Sequence, residues 1–359
     1  MTGPEGNLGD LVIRRLALEW IRDAGNVNAF VGRHSEEWLS AMPFRKEDHL
    51  TRGGALARTF WLLRCAVAAG SPVLVTDPGE TWVTLRRLPY HLFLLLLSYW
   101  LKLRGGSIII PPHAIAQQKA ARISRLTLSL HARFAASASL CLWRESWSHE
   151  VTRAGELVPD IAFHLNPVKA QVNQERDFCV VSFRGDRPQP SDHMLDGIQA
   201  FADSKQLQPL IVSQVVEDDG YATELGDQRD WPVFCWDPHD SGSEAALLDL
   251  YQRARLAISD RLHVLILAAV QGAAPAELVP KPERKIGAHF LAAGFANVSI
   301  DSRSLSGDQL IEWLENRAVD QQSVSRTIDQ ARGLLAQSAR GARVIANKAS
   351  GATLPGDKE

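Results

Sequence analysis

Cysteine is scarce: 4 residues in a chain of 359, at positions 65, 141, 179 and 235, with no C-x-x-C pair. That spacing excludes a disulfide framework and a thiolate zinc site, and fits reduced thiols in a cytoplasmic protein. Neither charge is in excess. With 39 Lys and Arg against 41 Asp and Glu, the net charge of −2 lacks the basic footprint of a nucleic-acid binder. No apolar run approaches the about 20 residues a bilayer span needs. The strongest run covers residues 92–101 and reads as a buried helix; attachment to a membrane surface, helped by Arg86, Arg87, Lys102 and Arg104, is the alternative. The first residues, Met1-Thr2-Gly3-Pro4-Glu5-Gly6, lack the basic-then-apolar pattern of a signal peptide. Internal repeats are absent. His149-Glu150 opens like a zincin motif, but Arg153 stands where the second histidine belongs. The other histidines are dispersed, so no metal and no resident cofactor is expected.

What is present is a soluble α/β chain. Hydrophobic residues make up 45% and charged residues 22%, and the length suits two ordinary domains. Short apolar runs bounded by Gly and Pro predict buried strands at 73–77, 107–110 and 140–143, with helices at 92–101, 116–135 and 147–154. A polar stretch at 166–176 lacks periodicity and reads as a linker. A second series then gives strands at 178–184, 210–213 and 233–236 and a helix at 243–253. Alternation of this kind implies parallel sheets. The expected division is an N-terminal α/β domain over residues 1–165, a C-terminal α/β domain over 177–319, and a long terminal helix with a loose tail over 320–359.

The most informative stretch is Leu256-Ala257-Ile258-Ser259-Asp260-Arg261-Leu262-His263. A buried strand ends at Ile258, Ser259 and Asp260 are good N-cap types, and residues 264–270 continue as a buried helix that Gly272 can end. Arg261 and His263 then fall in the first helical turn beyond a strand's C-terminal end, where open α/β sheets bind ligands and where an anion is favoured. The alternative is a surface cation beside a core histidine.

Near the start, Gly3, Gly6, Asn7, Gly9 and Asp10 precede a helical run. Such glycines let the backbone approach a ligand, or simply make a tight turn; the spacing is neither G-x-G-x-x-G nor Walker A. A doubly wound domain has a strand before such a loop, yet only Met1 and Thr2 precede Gly3. The expectation is that the true start lies upstream.

These pieces resemble the polysaccharide pyruvyl transferase family. Gly6-Asn7-Leu8-Gly9-Asp10 is similar to its G-N-x-G-D element, and Trp143-Arg144-Glu145-Ser146-Trp147-Ser148 to its R-D-x-x-S segment, with Glu145 in place of the usual acid. Val158-Pro159-Asp160 follows as a D-P-like stretch. Ser182-Phe183-Arg184 resembles its S-x-R strand end, Ser259-Asp260-Arg261-Leu262-His263 its R-L-H signature, and Gln271-Gly272-Ala273-Ala274-Pro275 the small-residue turn behind it. Lys285 falls where the family often has a lysine. The chain departs in lacking a first strand and in its glycine-rich centre, where Arg52-Gly53-Gly54-Ala55 is the nearest trace.

The resemblance implies two Rossmann-like α/β domains facing a cleft, a GT-B-like fold. It also implies transfer of the pyruvyl group of phosphoenolpyruvate onto a sugar as a ketal, with release of phosphate. Arg184 and Arg261 would clamp the donor's carboxylate and phosphate, and His263 would be the general acid. Asn7, Gly9, Asp10, His113, Arg144, Leu262 and Lys285 would line the substrates. Its position after Pro111 and Pro112 puts His113 at a strand end, where it either faces a cleft or, as the default, is a loop histidine. Phosphoenolpyruvate enters as co-substrate, and the acceptor would be an oligosaccharide, free or lipid-linked, met in the cytoplasm or at the inner face of the membrane. Two other readings compete: a GT-B glycosyltransferase using a nucleotide sugar, and a catalytically silent homologue in polysaccharide assembly.

Overall fold

A computed structural model describes residues 1–68, 70–116, 123–168, 175–282, 284–318 and 321–350. It divides into two compact units, the first comprising Met1–Gly3, Ile13–Ile161 and the chain from Gly333 on, the second Pro4–Val12 and Ala162–Arg332. The main change of unit lies between Ile161 and Ala162, and two segments cross it in sequence. Pro4–Val12 belongs to the second unit because its backbone is stitched there: Leu8 N–H donates to the Gln214 carbonyl at 3.1 Å, and Val216 N–H to the Gly6 carbonyl at 2.9 Å. The terminal helix is not a separate piece, since its residues divide between the units at Arg332. Part of the expected 116–135 helix, part of the linker and the tail beyond 350 lie outside the described residues.

Unit one begins within α1 (Leu8–Glu19) and continues through β1 (Asn28–Gly32), α2 (Glu36–Ser40), β2 (His49–Arg52), α3 (Ala55–Val67), β3 (Val73–Val75), β4 (Gly79–Thr81), α4 (Leu88–Leu103), β5 (Ser107–Ile115), α5 (Arg125–Ser137), β6 (Leu140–Trp143), α6 (Ser146–Thr152) and β7 (Glu156–Leu157). Its strands form two sheets, a parallel β1–β2 pair and a parallel β3-β5-β6-β7 sheet with β4 also on β5. β1 and β3 both line a cavity of about 430 Å³, and the Met1 amine donates to the Phe30 carbonyl there. Strand β5 runs past Pro111 and Pro112, where the sequence pattern alone ends it. The pairing with β6 shifts register between Ile110 and His113, so the prolines sit at an irregularity that tolerates a missing donor.

The core of this unit is built by α4, whose Leu94, Leu95, Leu97 and Leu101 pack with Ile108, Ile110, Phe134 and Trp143. It also buries His91, His113 and His131. The His131 ring lies 5.0 Å from that of His91 and 5.9 Å from that of His113, centroid to centroid. Burial holds all three imidazoles below the ordinary histidine value, His113 at about 4. They are therefore neutral in the folded chain at pH 7, whereas the unfolded chain takes up protons below about pH 6.5. Stability should fall from about pH 6.5 downward, and His113, with its value of about 4, accounts for about 2 kcal/mol of that loss at pH 5. A His131→Phe variant is expected to lose less stability between pH 7 and pH 5 than the parent, read from urea midpoints. An equal loss would remove the histidine cluster as the cause.

Unit two holds β8 (Phe178–Ser182), α7 (Asp192–Ser204), β9 (Gln208–Ser213), α8 (Asp219–Arg229), β10 (Val233–Cys235), α9 (Ser243–Gln252), β11 (Ala254–Ser259), α10 (Leu262–Val270), β12 (Ala274–Val279), α11 (Arg284–Ala292), β13 (Ser299–Asp301) and α12 (Gly307–Ala318), and α13 (Gln321–Ser350) starts in it. Its sheet is parallel throughout, in the order β10-β9-β8-β11-β12-β13. From β8 the chain winds outward one way through β9 and β10. It then returns to β11 beside β8 and winds the other way, so β8 and β11 flank the topological switch point. Helix α10 is apolar all round except for His263, which matches its burial behind this point.

Candidate functional site

Strands β8 and β11 pair in register, Ser259 beside Ser182, and both point their C-terminal ends the same way. The residues that follow them, Arg184 and Arg261, therefore emerge next to each other at the switch point. Helix α10 begins one residue later than the sequence implies. Arg261 is the N-cap, with extended backbone (φ −99°, ψ 115°) and no side-chain cap bond, and His263 lies within the first turn. Ser259 and Asp260, expected to cap, do other work: Ser259 Oγ accepts from Arg261 N–H at 2.9 Å, and Asp260 accepts from Arg184 N–H at 2.9 Å.

Each guanidinium is held by a carboxylate. Arg184 forks onto Asp186 through Nε and Nη2, both at 2.7 Å. Arg261 donates from Nε to Asp218 at 2.7 Å and also from Nη2. The same Asp218 accepts from Gly185 N–H at 3.1 Å, and Arg187 lies 3.9 Å from Asp260. The hydrogen bonds to Asp186 raise the Arg184 pKa, and in return hold the Asp186 carboxyl low. Burial pushes Asp260 up, against the pull of Arg187 and its neighbours. Tyr221 sits on Gly185, where a Cβ would approach it to 3.3 Å, and burial pushes its hydroxyl to about 12. Three cations and three carboxylates thus share the strand ends with one imidazole. Asp218 is a site residue that the sequence reading does not single out, and it is buried. Its capture of Arg261 joins residues 43 positions apart and has no local signature.

The N-terminal glycine loop reaches this same site. Asn7 caps α1, its side chain accepting from Asp10 N–H at 3.2 Å, and pairs with Val215 at the end of β9. A Cβ on Gly9 would lie 2.4 Å from His263 Cβ and 2.5 Å from its Nδ1. Glycine is the residue that lets the first turn of α1 press against the imidazole. The other two glycines make similar room, Gly3 for the Arg14 guanidinium and Gly6 for Val216. The clearance that sequence reading offers to a ligand is filled by the protein's own side chains.

Arg184, Arg261 and His263 come together with Asn7, Gly9 and Asp10 in one unit, with Leu262 buried at the first position of α10. The remaining candidates lie apart. His113 does not face a cleft: it is buried within β5, Nδ1 on the Leu142 carbonyl at 2.9 Å and its ring 4.0 Å from that of Trp143. Arg144 is buried in unit one and paired with buried Asp160 at 2.6 Å. Glu145 caps α6, accepting from Trp147 and Ser148 N–H at 2.9 and 2.8 Å. Lys285 is exposed in the first turn of α11, its carbonyl bonded to His289 Nδ1. Among the described residues, no group of three or more His, Cys, Asp or Glu could hold a metal ion.

The family model described as polysaccharide pyruvyl transferase matches residues 7–274. No curated protein matches the sequence. Among solved structures, Alr3699/HepE from Anabaena in complex with UDP is 12% identical over 97% of this chain and 96% of that one, with a TM-score of 0.52. The same protein with UDP-glucose gives 13%, 98% and 97%, again with a TM-score of 0.52. A candidate UDP-N-acetylglucosamine 2-epimerase from Listeria monocytogenes is 11% identical over 97% of this chain and 92% of that one, at 0.53. At such identities the likeness is one of fold, the two-domain α/β fold of GT-B type.

Proposed function

Because this chain belongs to the polysaccharide pyruvyl transferase family, we propose that it carries the pyruvyl group of phosphoenolpyruvate onto a sugar of a cell-surface polysaccharide or its precursor. One observation carries the reading: Arg184 and Arg261 leave adjacent strand ends at the switch point, with His263 one turn away against Gly9. Phosphoenolpyruvate presents a carboxylate and a phosphate, and two guanidiniums match them because each fork can hold either group with two parallel bonds. Asp186 and Asp218 hold those forks in the meantime, and an incoming anion would compete with them for the guanidinium N–H groups.

The chemistry balances with these groups. His263 delivers a proton to the enol methylene, making it a methyl group and leaving the adjacent carbon electron-poor. One sugar hydroxyl attacks that carbon. A second then displaces phosphate and closes the ketal. Of the two hydroxyl protons released, one restores the imidazolium and the other leaves with hydrogen phosphate. General acid catalysis of this kind supplies about 10²–10⁴ in rate. The acceptor we assign is an oligosaccharide, free or lipid-linked, met on the cytoplasmic side.

Thermal unfolding tests the donor. Phosphoenolpyruvate at 100 times its dissociation constant is expected to stabilise the protein by about 2.7 kcal/mol, and Arg261→Ala to abolish that gain. A gain with a nucleotide sugar, and none with phosphoenolpyruvate, would replace this reading by nucleotide-dependent glycosyl transfer.

A further inference from the structure

Helices α3 and α4 run side by side in unit one: Arg58 lies over the Tyr90 ring at 4.9 Å, and near the other ends Trp100 and Arg104 donate to the Ala66 carbonyl at 2.9 and 2.7 Å. Each turns a narrow apolar stripe to solvent. On α3 it is Leu56, Phe60, Leu63 and Val67; on α4 it is Leu92, Leu96, Tyr99 and Leu103. Both sets follow the spacing i, i+4, i+7, i+11, which keeps each on one line of its helix. These eight side chains are 45% to 83% exposed, and exposed Trp100 and Leu85 adjoin them. Apolar exposure on this scale marks a contact surface. The sequence reading of residues 92–101 as a buried helix thus holds for only one side of α4, the side that packs under Leu94, Leu95, Leu97 and Leu101.

Charge says what the surface meets. Between Glu80 and Glu145 the sequence has nine Lys and Arg and no acidic residue, in a chain whose overall net charge is −2. From Gly53 to Thr76, the stretch containing α3, Arg58 and Arg64 are likewise unopposed by any acid. Exposed Arg64, Arg86, Arg87 and Lys102 flank the stripes. Among the described residues no helix is long and apolar enough to cross a membrane. We propose that the α3–α4 face docks on the surface of an anionic lipid bilayer, with Phe60, Leu96 and Leu103 entering the headgroup–acyl boundary and the basic residues pairing with lipid phosphates. Tyr99 and Trp100 have the amphipathic rings that settle at that depth, and the long basic side chains can keep their charges at headgroup level. The docking stands apart from the pyruvyl-transfer reading, since it is measured without substrate.

Vesicle co-sedimentation of the full chain tests it. Vesicles of phosphatidylcholine with about one third phosphatidylglycerol should retain the protein at low salt. Pure phosphatidylcholine should retain at least tenfold less, and half-molar salt should release most of what is bound, because exposed charges are then screened beyond a few ångströms. Phe60→Ser combined with Leu96→Ser, and separately Arg86→Glu combined with Arg87→Glu, should each reduce retention at least fivefold. Unfolding temperatures should stay near that of the parent, since these side chains are exposed. Absence of binding to the anionic vesicles, or retention unchanged by either pair, overturns the proposal. So does sedimentation velocity showing a dimer that the Phe60/Leu96 pair dissociates, which would assign the face to a second copy of the chain.

Discussion

Replacing Gly9 by alanine is expected to cost as much turnover as replacing His263 itself, about 10²–10⁴-fold. Alanine would ordinarily help a helix by about 1 kcal/mol over glycine. Here its Cβ would stand 2.4 Å from His263 Cβ, a distance no pair of carbons tolerates. The obstructed atom is not the end of a flexible side chain. It is fixed to the backbone of α10, so the first turn of α1 and α10 must separate, because rotating the imidazole leaves the Cβ in place. That change misplaces the proposed proton donor. The two substitutions act on one device, so the Gly9→Ala/His263→Gln double variant should be hardly slower than either single variant. The readout is phosphate release from phosphoenolpyruvate with an accepted sugar, alongside a melting curve to show that the fold survives. A Gly9→Ala protein with undiminished turnover would separate the glycine loop from the chemistry.

The second large effect is on stability. Arg144 and Asp160 form a buried ion pair, 3% and 0% exposed at the side chains, and Arg144 N–H donates to the His113 carbonyl. Deleting Asp160 strips the buried Arg144 guanidinium of the carboxylate that pairs with it, which costs about 3–5 kcal/mol. That is a large share of the about 5–15 kcal/mol that holds an ordinary domain folded. Asp160→Ala should therefore lower the urea midpoint sharply or yield insoluble protein. Asp160→Leu paired with Arg144→Met should recover part of the loss, because it removes both charges together. The same pair decides whether Arg144 contacts substrate. If it does, Arg144→Met/Asp160→Leu will fold yet lose phosphoenolpyruvate-dependent stabilisation; if its role is structural, that stabilisation will persist.

Much of this was legible before any coordinates. The strand–turn–helix at 256–270 announced itself through a β-rich run, two cap-type residues and an unbroken apolar segment, and the structure departs from it by a single residue at the helix start. Arg184 followed the same logic at the end of β8. What could not be read were relations between distant parts. Asp218 looked like one more acid in the run Glu217-Asp218-Asp219, and only the parallel order β9-β8-β11 brings it to Arg261. Gly9 was marked for its freedom of approach, but the thing approached is a side chain 254 positions later. His113 misled because two prolines appeared to end its strand. A register shift lets β5 continue, and carries the histidine into the core. The short strands β1 and β2 escaped notice because the apolar run of β1, Ala29-Phe30-Val31, is only three residues long and β2, His49-Leu50-Thr51-Arg52, has none.

The divided sheet of unit one carries a consequence for how the protein behaves at high concentration. β1 and β3 line a common cavity, and among the described residues each pairs with one strand only. Both are therefore edge strands, the kind of element that needs protection against adhesion to another chain. Adhesion through unit one at high concentration is expected to begin at these two edges.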